Sequence, residues 1–275
     1  MKKTSISLYV FQVFQVFKCL IYVLLTANIF FFYQEESLAV KSTFSQGISI
    51  TDIIQGFAAT LDTAAWVMLL FLFELNTSEY LKRLNSLNNA FIAKNFIRIF
   101  SYGLICYAFF GYLLKYILLI NIEPFFIEDV CSLVDQGYYL IENLDEYPMM
   151  TSSNCLALSN NPLFVLSGQA ILGTKSDWQA IQNLGLVDII NSGTWILIVM
   201  IIELEVLFGS KLLTTRLKFL NLKILKTILY LILFSAAAFW GFKGDFLDFW
   251  DAFLWLVAFF FIELNLLKIG QPQTN

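Results

Sequence analysis

Histidine is missing from the chain altogether. That absence removes the most frequent general base, the most frequent metal ligand and the ordinary near-neutral pH switch. A Ser-His-Asp triad, a Cys-His dyad or a His-bearing zinc site cannot be assembled from this chain alone. Charge is sparse as well: 14% of the residues are Asp, Glu, Lys or Arg, against about 25% in a soluble domain. The 4 prolines all stand outside the long apolar runs. No Gly-rich phosphate loop, CxxC pair, arginine ladder or selectivity-filter motif is present, and "LSGQ" at 166–169 reads as a turn rather than a nucleophile. The expectation is a protein that is not an enzyme and holds no cofactor or metal. A net charge of −4 argues against nucleic acid as a partner.

Apolar residues are abundant instead. They make up 59% of the chain, including 29 Phe, where a soluble domain has about 45–50%. A lipid bilayer is the partner that tolerates such a surface. A helix needs about 20 apolar residues to cross the hydrocarbon core. Six segments meet that length approximately: 11–33, 54–75, 98–121, 184–208, 222–241 and 247–268. They are too long for strands and lack barrel alternation. The predicted fold is an all-α integral membrane protein with six transmembrane helices. Helices one to three occupy 1–121, a small outward cap 122–183, and helices four to six with a short tail 184–275.

Basic residues orient it. With the N-terminus cytoplasmic, only Lys41, Lys115, Lys175 and Lys243 fall toward the outer side. Both termini are then cytoplasmic, in what reads as a bacterial inner membrane. The opening "MKK" and its apolar run resemble a signal peptide, but Gln12, Gln15 and Lys18 interrupt the run and no A-x-A site follows, so the segment is expected to be retained. The cap is acidic, with Glu123, Glu128, Asp129, Asp135, Glu142, Asp145 and Glu146. It also carries Cys131 and Cys155, for which an outward compartment predicts a disulfide. Cys19 and Cys106 fall in helices one and three and are expected to be buried there.

A recurring pattern marks helices two, four and six: [Asp/Asn]-x3-Trp-x7-Glu-Leu. It reads Asp62, Trp66, Glu74; then Asn191, Trp195, Glu203; then Asp251, Trp255, Glu263. Helices one, three and five carry Lys18-x3-Tyr22, Arg98-x3-Tyr102 and Lys226-x3-Tyr230. The chain thus reads as three copies of one helical hairpin. At about 100° per residue the three marked side chains of each even helix share one face, and Asp/Asn and Glu stand roughly 18 Å apart along it. A charge at mid-membrane costs about 2.5–3.5 kcal/mol even on lenient scales, so each needs a partner. Antiparallel packing levels Glu74 with Lys18, Glu203 with Arg98, and Glu263 with Lys226. Asp62 and Asp251 have only Lys115 near their level, while Asp188 and Asp248 extend the acidic set toward the outer ends.

Two readings follow. The polar faces are either ties between helices, or they converge on one axis and line a path for cations. The second predicts a small cation or proton transporter or channel. The first suits a non-catalytic accessory or assembly subunit of a larger membrane complex, or a homo-oligomer. An outward-facing sensor acting through a partner is a third possibility, weakened by cytoplasmic loops too short for an effector domain. Three hairpins resemble mitochondrial carriers in outline, but their Pro-x-[Asp/Glu]-x-x-[Lys/Arg] signature is absent.

Overall fold

The computed structural model describes residues 2–43, 50–77, 88–158, 161–212, 216–243 and 245–269. The chain is mostly helical. Its helices are α1 (Lys2–Thr43), α2 (Ile50–Gly56), α3 (Ala58–Thr77), α4 (Asn88–Ile120), α5 (Lys175–Leu212), α6 (Arg216–Lys243) and α7 (Phe246–Ile269). Five of them contain stretches long and apolar enough to cross a membrane: Val13–Thr43, Ala58–Leu75, Ile92–Ile120, Lys175–Leu204 and Leu222–Lys243.

Each long helix packs against the next, and α7 returns to α1, which closes a ring. The sequence pattern explains the closure. The helices meet through buried small or polar residues (Ala65, Ser101, Ser192, Ala236 and Ala258) together with buried Trp and Leu side chains, and other large apolar side chains face outward. Val16, Phe96, Ile99, Leu231, Phe234 and Phe260 are all exposed on that outer wall. An apolar belt of this extent is stable against lipid and not against water. Cys19 and Cys106 also lie exposed, on outward helix faces rather than buried in the bundle as expected.

Between α4 and α5 the expected all-α reading fails. Residues 122–158 and 161–174 form a cap around a four-stranded sheet of β1 (Ile122–Phe125), β2 (Tyr139–Leu140), β3 (Leu163–Leu166) and β4 (Ile171–Thr174), in the order β1-β3-β4-β2. β1 and β4 run antiparallel to β3, and β2 runs parallel to β4. The β3–β4 turn is the "LSGQ" stretch, where Gln169 N donates to Leu166 O at 2.9 Å and Gly168 takes a φ of +77° that suits glycine. The predicted Cys131–Cys155 disulfide is present, with Cys155 fully buried in the cap core beside Val130, Leu140, Met150 and Leu172.

Helix α5 begins nine residues before the predicted boundary at 184, so 175–183 belong to the helix and not to the cap. A capping box starts it: Thr174 N and Oγ1 donate to Asp177 Oδ2 at 2.8 and 2.7 Å, and Asp177 N donates back to Thr174 Oγ1 at 3.3 Å. Trp178, fully buried, then donates its indole N–H to Phe164 O at 3.1 Å and pins the sheet to the bundle.

Candidate functional site

Two layers of polar side chains cross the ring, one toward the end that carries the cap and one toward the opposite end. In the far layer, Lys18 Nζ of α1 donates to both carboxylate oxygens of Glu74 on α3 at 2.8 Å, and Tyr22 Oη donates to Glu74 Oε1 at 2.8 Å. The same arrangement recurs between α4 and α5, where Arg98 pairs with Glu203 and Tyr102 Oη donates to Glu203 Oε1 at 2.6 Å. Base and tyrosine stand one turn apart, so both reach one carboxylate on the neighbouring helix. The Glu263 side chain, and with it the proposed pair to Lys226, lies outside the described residues.

Between the layers the axis is filled with aromatic rings. Trp66, Trp195 and Trp255 come from three different helices and gather around one another and Phe259. Ring centroids are 6.2 Å apart for Trp66–Trp195, 6.3 Å for Trp66–Trp255 and 4.5 Å for Trp195–Phe259. Leu25, Leu70, Ile198 and Leu254 belong to the same apolar core.

On the cap side of the tryptophans lies a cavity of about 50 Å³, room for roughly three to five waters at about 10–15 Å³ each. All six long helices line it, together with Asp145 of the cap. Seven carboxylates reach it (Glu35, Glu36, Asp62, Asp145, Asp188, Asp248 and Asp251), with Lys115 as the basic residue among the lining groups. Asp62, Asn191 and Asp251, singled out from the sequence on three separate helices, thus share one cavity, as do Trp66, Trp195 and Trp255.

Their partners differ from those expected. Lys115 does not neutralise Asp62 or Asp251; its Nζ contacts both oxygens of Asp145 in the cap, at 2.7 and 2.8 Å. A tight turn presents Asp145, held by Glu142 N donating to Glu146 O, by the buried Leu144, and by Tyr147 Oη donating to Leu144 O. Burial, reinforced by the Asp145 charge, pushes the Tyr147 phenol well above its usual range and keeps it a donor. Asp245, just before α7, is likewise pushed up, first by burial. Asp251 Oδ1 accepts from Asn28 Nδ2 at 2.7 Å, Asp62 Oδ2 has a long contact to Tyr112 Oη at 3.5 Å, and the Trp66 and Trp255 indoles, one turn on, also act on Asp62 and Asp251 as donors. Asp62 Oδ1, Asp188 Oδ1 and Asn191 Oδ1 are buried with no partner in full hydrogen-bond geometry, and so is the donor Trp240 Nε1, which lines the same cavity and acts on Asp188. Each such atom normally costs about 1–3 kcal/mol, more when charged.

Glu36 is the residue the sequence reading missed. It lies past 33, the predicted end of the first helix, yet α1 continues to Thr43 and buries it to 2% exposure. Its carboxylate accepts from Ala59 N at 2.7 Å, Thr60 N at 3.0 Å and Thr60 Oγ1 at 2.6 Å. In an unbroken helix those two amides would bond residues 55 and 56. The predicted second segment is therefore two helices, parted at Phe57, with the N-terminus of α3 capped by an acid from α1. The apolar run ends at "QEES", but Gln and Glu continue a helix readily, and that propensity is the signal for the longer α1.

Among the described residues no three acidic or cysteine side chains come together in a group fit to hold a metal ion. No protein-family model, curated protein or solved structure matches the chain.

Proposed function

We propose that the chain is a multi-pass protein of a bacterial inner membrane, crossing six times as three hairpins with both termini cytoplasmic and the cap outside. In this reading α7 is the sixth span: its 24 residues extend about 36 Å, enough for the hydrocarbon core. The proposed role is non-enzymatic: the cavity is the binding station of a small cation or proton transporter. One observation carries this. Helices α3, α5 and α7 bring Asp62, Asp188, Asn191 and Asp251 to a single small cavity where three of their oxygens lack partners. A helix tie engages its polar groups, as Glu74 and Glu203 are engaged; Asp62, Asp188 and Asn191 each keep an open oxygen. The acidic cap at the mouth would concentrate cations there and repel anions.

The aromatic plug below the cavity favours a carrier that rearranges over an open channel. It equally favours the alternative, an accessory subunit whose axis is simply packed dry. Flux across liposomes with an imposed potential separates them. The comparison is the folded protein against its Asp62→Asn, Asp251→Asn double variant. Flux lost in the variant supports transport. No flux above empty liposomes, from protein shown to be inserted, moves the assignment to the accessory role.

A further inference from the structure

We infer that the species this cavity binds is the proton, carried by Asp188 of α5 as a neutral carboxyl that donates to Asn191 and accepts from Trp240. The inference rests on the transport reading only for the passage of that proton across the bundle.

The open atoms fit a proton one by one. Asp188 is 8% exposed and Trp240 3%. Asp188 Oδ1, Asn191 Oδ1 and Trp240 Nε1 all lack a partner in full hydrogen-bond geometry, and all three residues line the cavity. Asn191 follows Asp188 by three positions on α5, so their side chains are neighbours on one helix face. An ionised Asp188 offers Asn191 Oδ1 a second acceptor and no donor. A protonated one turns its O–H to that oxygen and leaves its carbonyl oxygen for the Trp240 indole, which acts on Asp188 from α6. One proton thus closes three open atoms. Asp62, whose Oδ1 is also open, has no such acceptor beside it: one turn away on α3 stand Ala58, Ala59, Ala65 and Trp66.

Charge balance points the same way. The groups whose charge reaches Asp188 are Lys115 and Tyr112 on α4, Asp145 in the cap, Asp245 just before α7 and Asp248 on α7. Glu35 and Glu36 of α1, Asp62 of α3 and Asp251 of α7 line the same cavity. Lys115 is the single cation among these described groups, and its Nζ is already on both oxygens of Asp145. Glu36 has three donors, and Asp251 has Asn28 and Trp255, so both are provided for as anions. Asp188 has Trp240 alone, and in imperfect geometry. Carboxyls that share a poorly hydrated site cannot all ionise, and the proton goes where the anion is least supported. Waters could bridge the open oxygens but would leave the charge in place. Glu35, Asp145 and Asp248 line the cavity while only half-buried. A hydronium reaching them gives its proton to the Asp188 carboxylate and leaves as water.

Infrared spectroscopy of the full-length protein in lipid reads the proton directly, because a protonated carboxyl has a carbonyl stretch that carboxylates lack. At neutral pH the expected spectrum contains such a band, lowered in frequency by heavy water and with one component lost in Asp188→Asn. Trp240→Phe, which removes the donor to that carbonyl, should keep the component and raise its frequency. This second variant decides the matter if Asp188→Asn does not fold. No band, a band unchanged in Asp188→Asn, or one unmoved by Trp240→Phe overturns the inference. In liposomes under a pH gradient, a pH-sensitive dye inside should report proton uptake with N-methylglucamine as the only other cation, and none in Asp188→Asn. Flux that needs sodium or potassium and carries no proton overturns the inference while leaving the transport reading intact. The Asp188 band with no flux of any ion, from protein shown to be inserted, does the reverse.

Discussion

Removing the Glu36 carboxylate is the sharpest test of how this bundle is built. Glu36→Ala strips the acceptor from two backbone amides, Ala59 N and Thr60 N, at a site where Glu36 is 2% exposed and no helical carbonyl replaces it. An unsatisfied buried amide costs about 1–3 kcal/mol, so the pair predicts a loss of about 2–6 kcal/mol. The Thr60 hydroxyl adds little, since it can turn to a carbonyl of the preceding turn. Loss of a negative charge at the start of α3 belongs in the same range and not on top of it. Glu36→Gln retains one carbonyl acceptor and should lose about half as much. The assay is equilibrium unfolding in mixed micelles, with tryptophan fluorescence as the signal. A Glu36→Ala protein within about 0.5 kcal/mol of the parent would refute the capping role. So would a Gln variant as damaged as the Ala one, since an acceptor would then not be what matters.

Other expectations use the same assay. At Gly111 an added Cβ would stand 2.5 Å from Ile54 O, against backbone that cannot yield, whereas at Gly103 nothing lies within 4 Å. Gly111→Ala should therefore cost about 1–3 kcal/mol, and Gly103→Ala should gain up to about 1 kcal/mol from helix propensity; the reverse order refutes the α2–α4 packing. The Cys131–Cys155 bridge spans a separation of 24 residues, which chain entropy values at about 3.5 kcal/mol. Reduction should make the cap the first part to gain amide exchange, and unchanged protection there would count against it. The losses of Lys18→Met and Glu74→Gln, added together, should exceed the loss of the double variant by a coupling of about 0.5–3 kcal/mol; additive losses would mean that the observed pair contributes nothing.

Much of the far layer was legible in the sequence because it obeys arithmetic. Lys18, Tyr22 and Glu74 follow from helix period and antiparallel packing, as do Arg98, Tyr102 and Glu203. The shared faces of Asp62–Trp66 and Asp251–Trp255 follow from the period alone. The cap was less readable for a physical reason. Its strands are two to four residues long, too short to show alternation, and are held by pairing across long sequence gaps. Even so, "LFVLSGQAILGT" contained two apolar runs around a Ser-Gly turn, and "TKSD" a capping box, so the hairpin and the start of α5 were open to a closer reading. The Lys115–Asp145 pair and the Glu36 cap were not. Each joins elements whose approach depends on the whole ring closing, and no local pattern reports that.

The two layers differ in satisfaction, and that difference separates structure from function by experiment. On α3 and α5 the glutamates at the far end are each held by a base and a tyrosine, while aspartates on the same helices, about 18–22 Å nearer the cap, are left with open oxygens. Natural proteins tolerate such deficits where activity requires them, and removing them tends to stabilise the fold at the expense of function. Asp188→Asn should then leave stability unchanged or raise it by up to about 1–3 kcal/mol, since it removes a buried carboxylate with an open oxygen and keeps the shape. Glu203→Gln should lower stability, because Arg98 and Tyr102 lose the charge they hold. The two variants compared in one unfolding series decide the matter. If Asp188→Asn destabilises as much as Glu203→Gln, the cap-side aspartates are ties like the others, and the cavity is packing rather than a binding site.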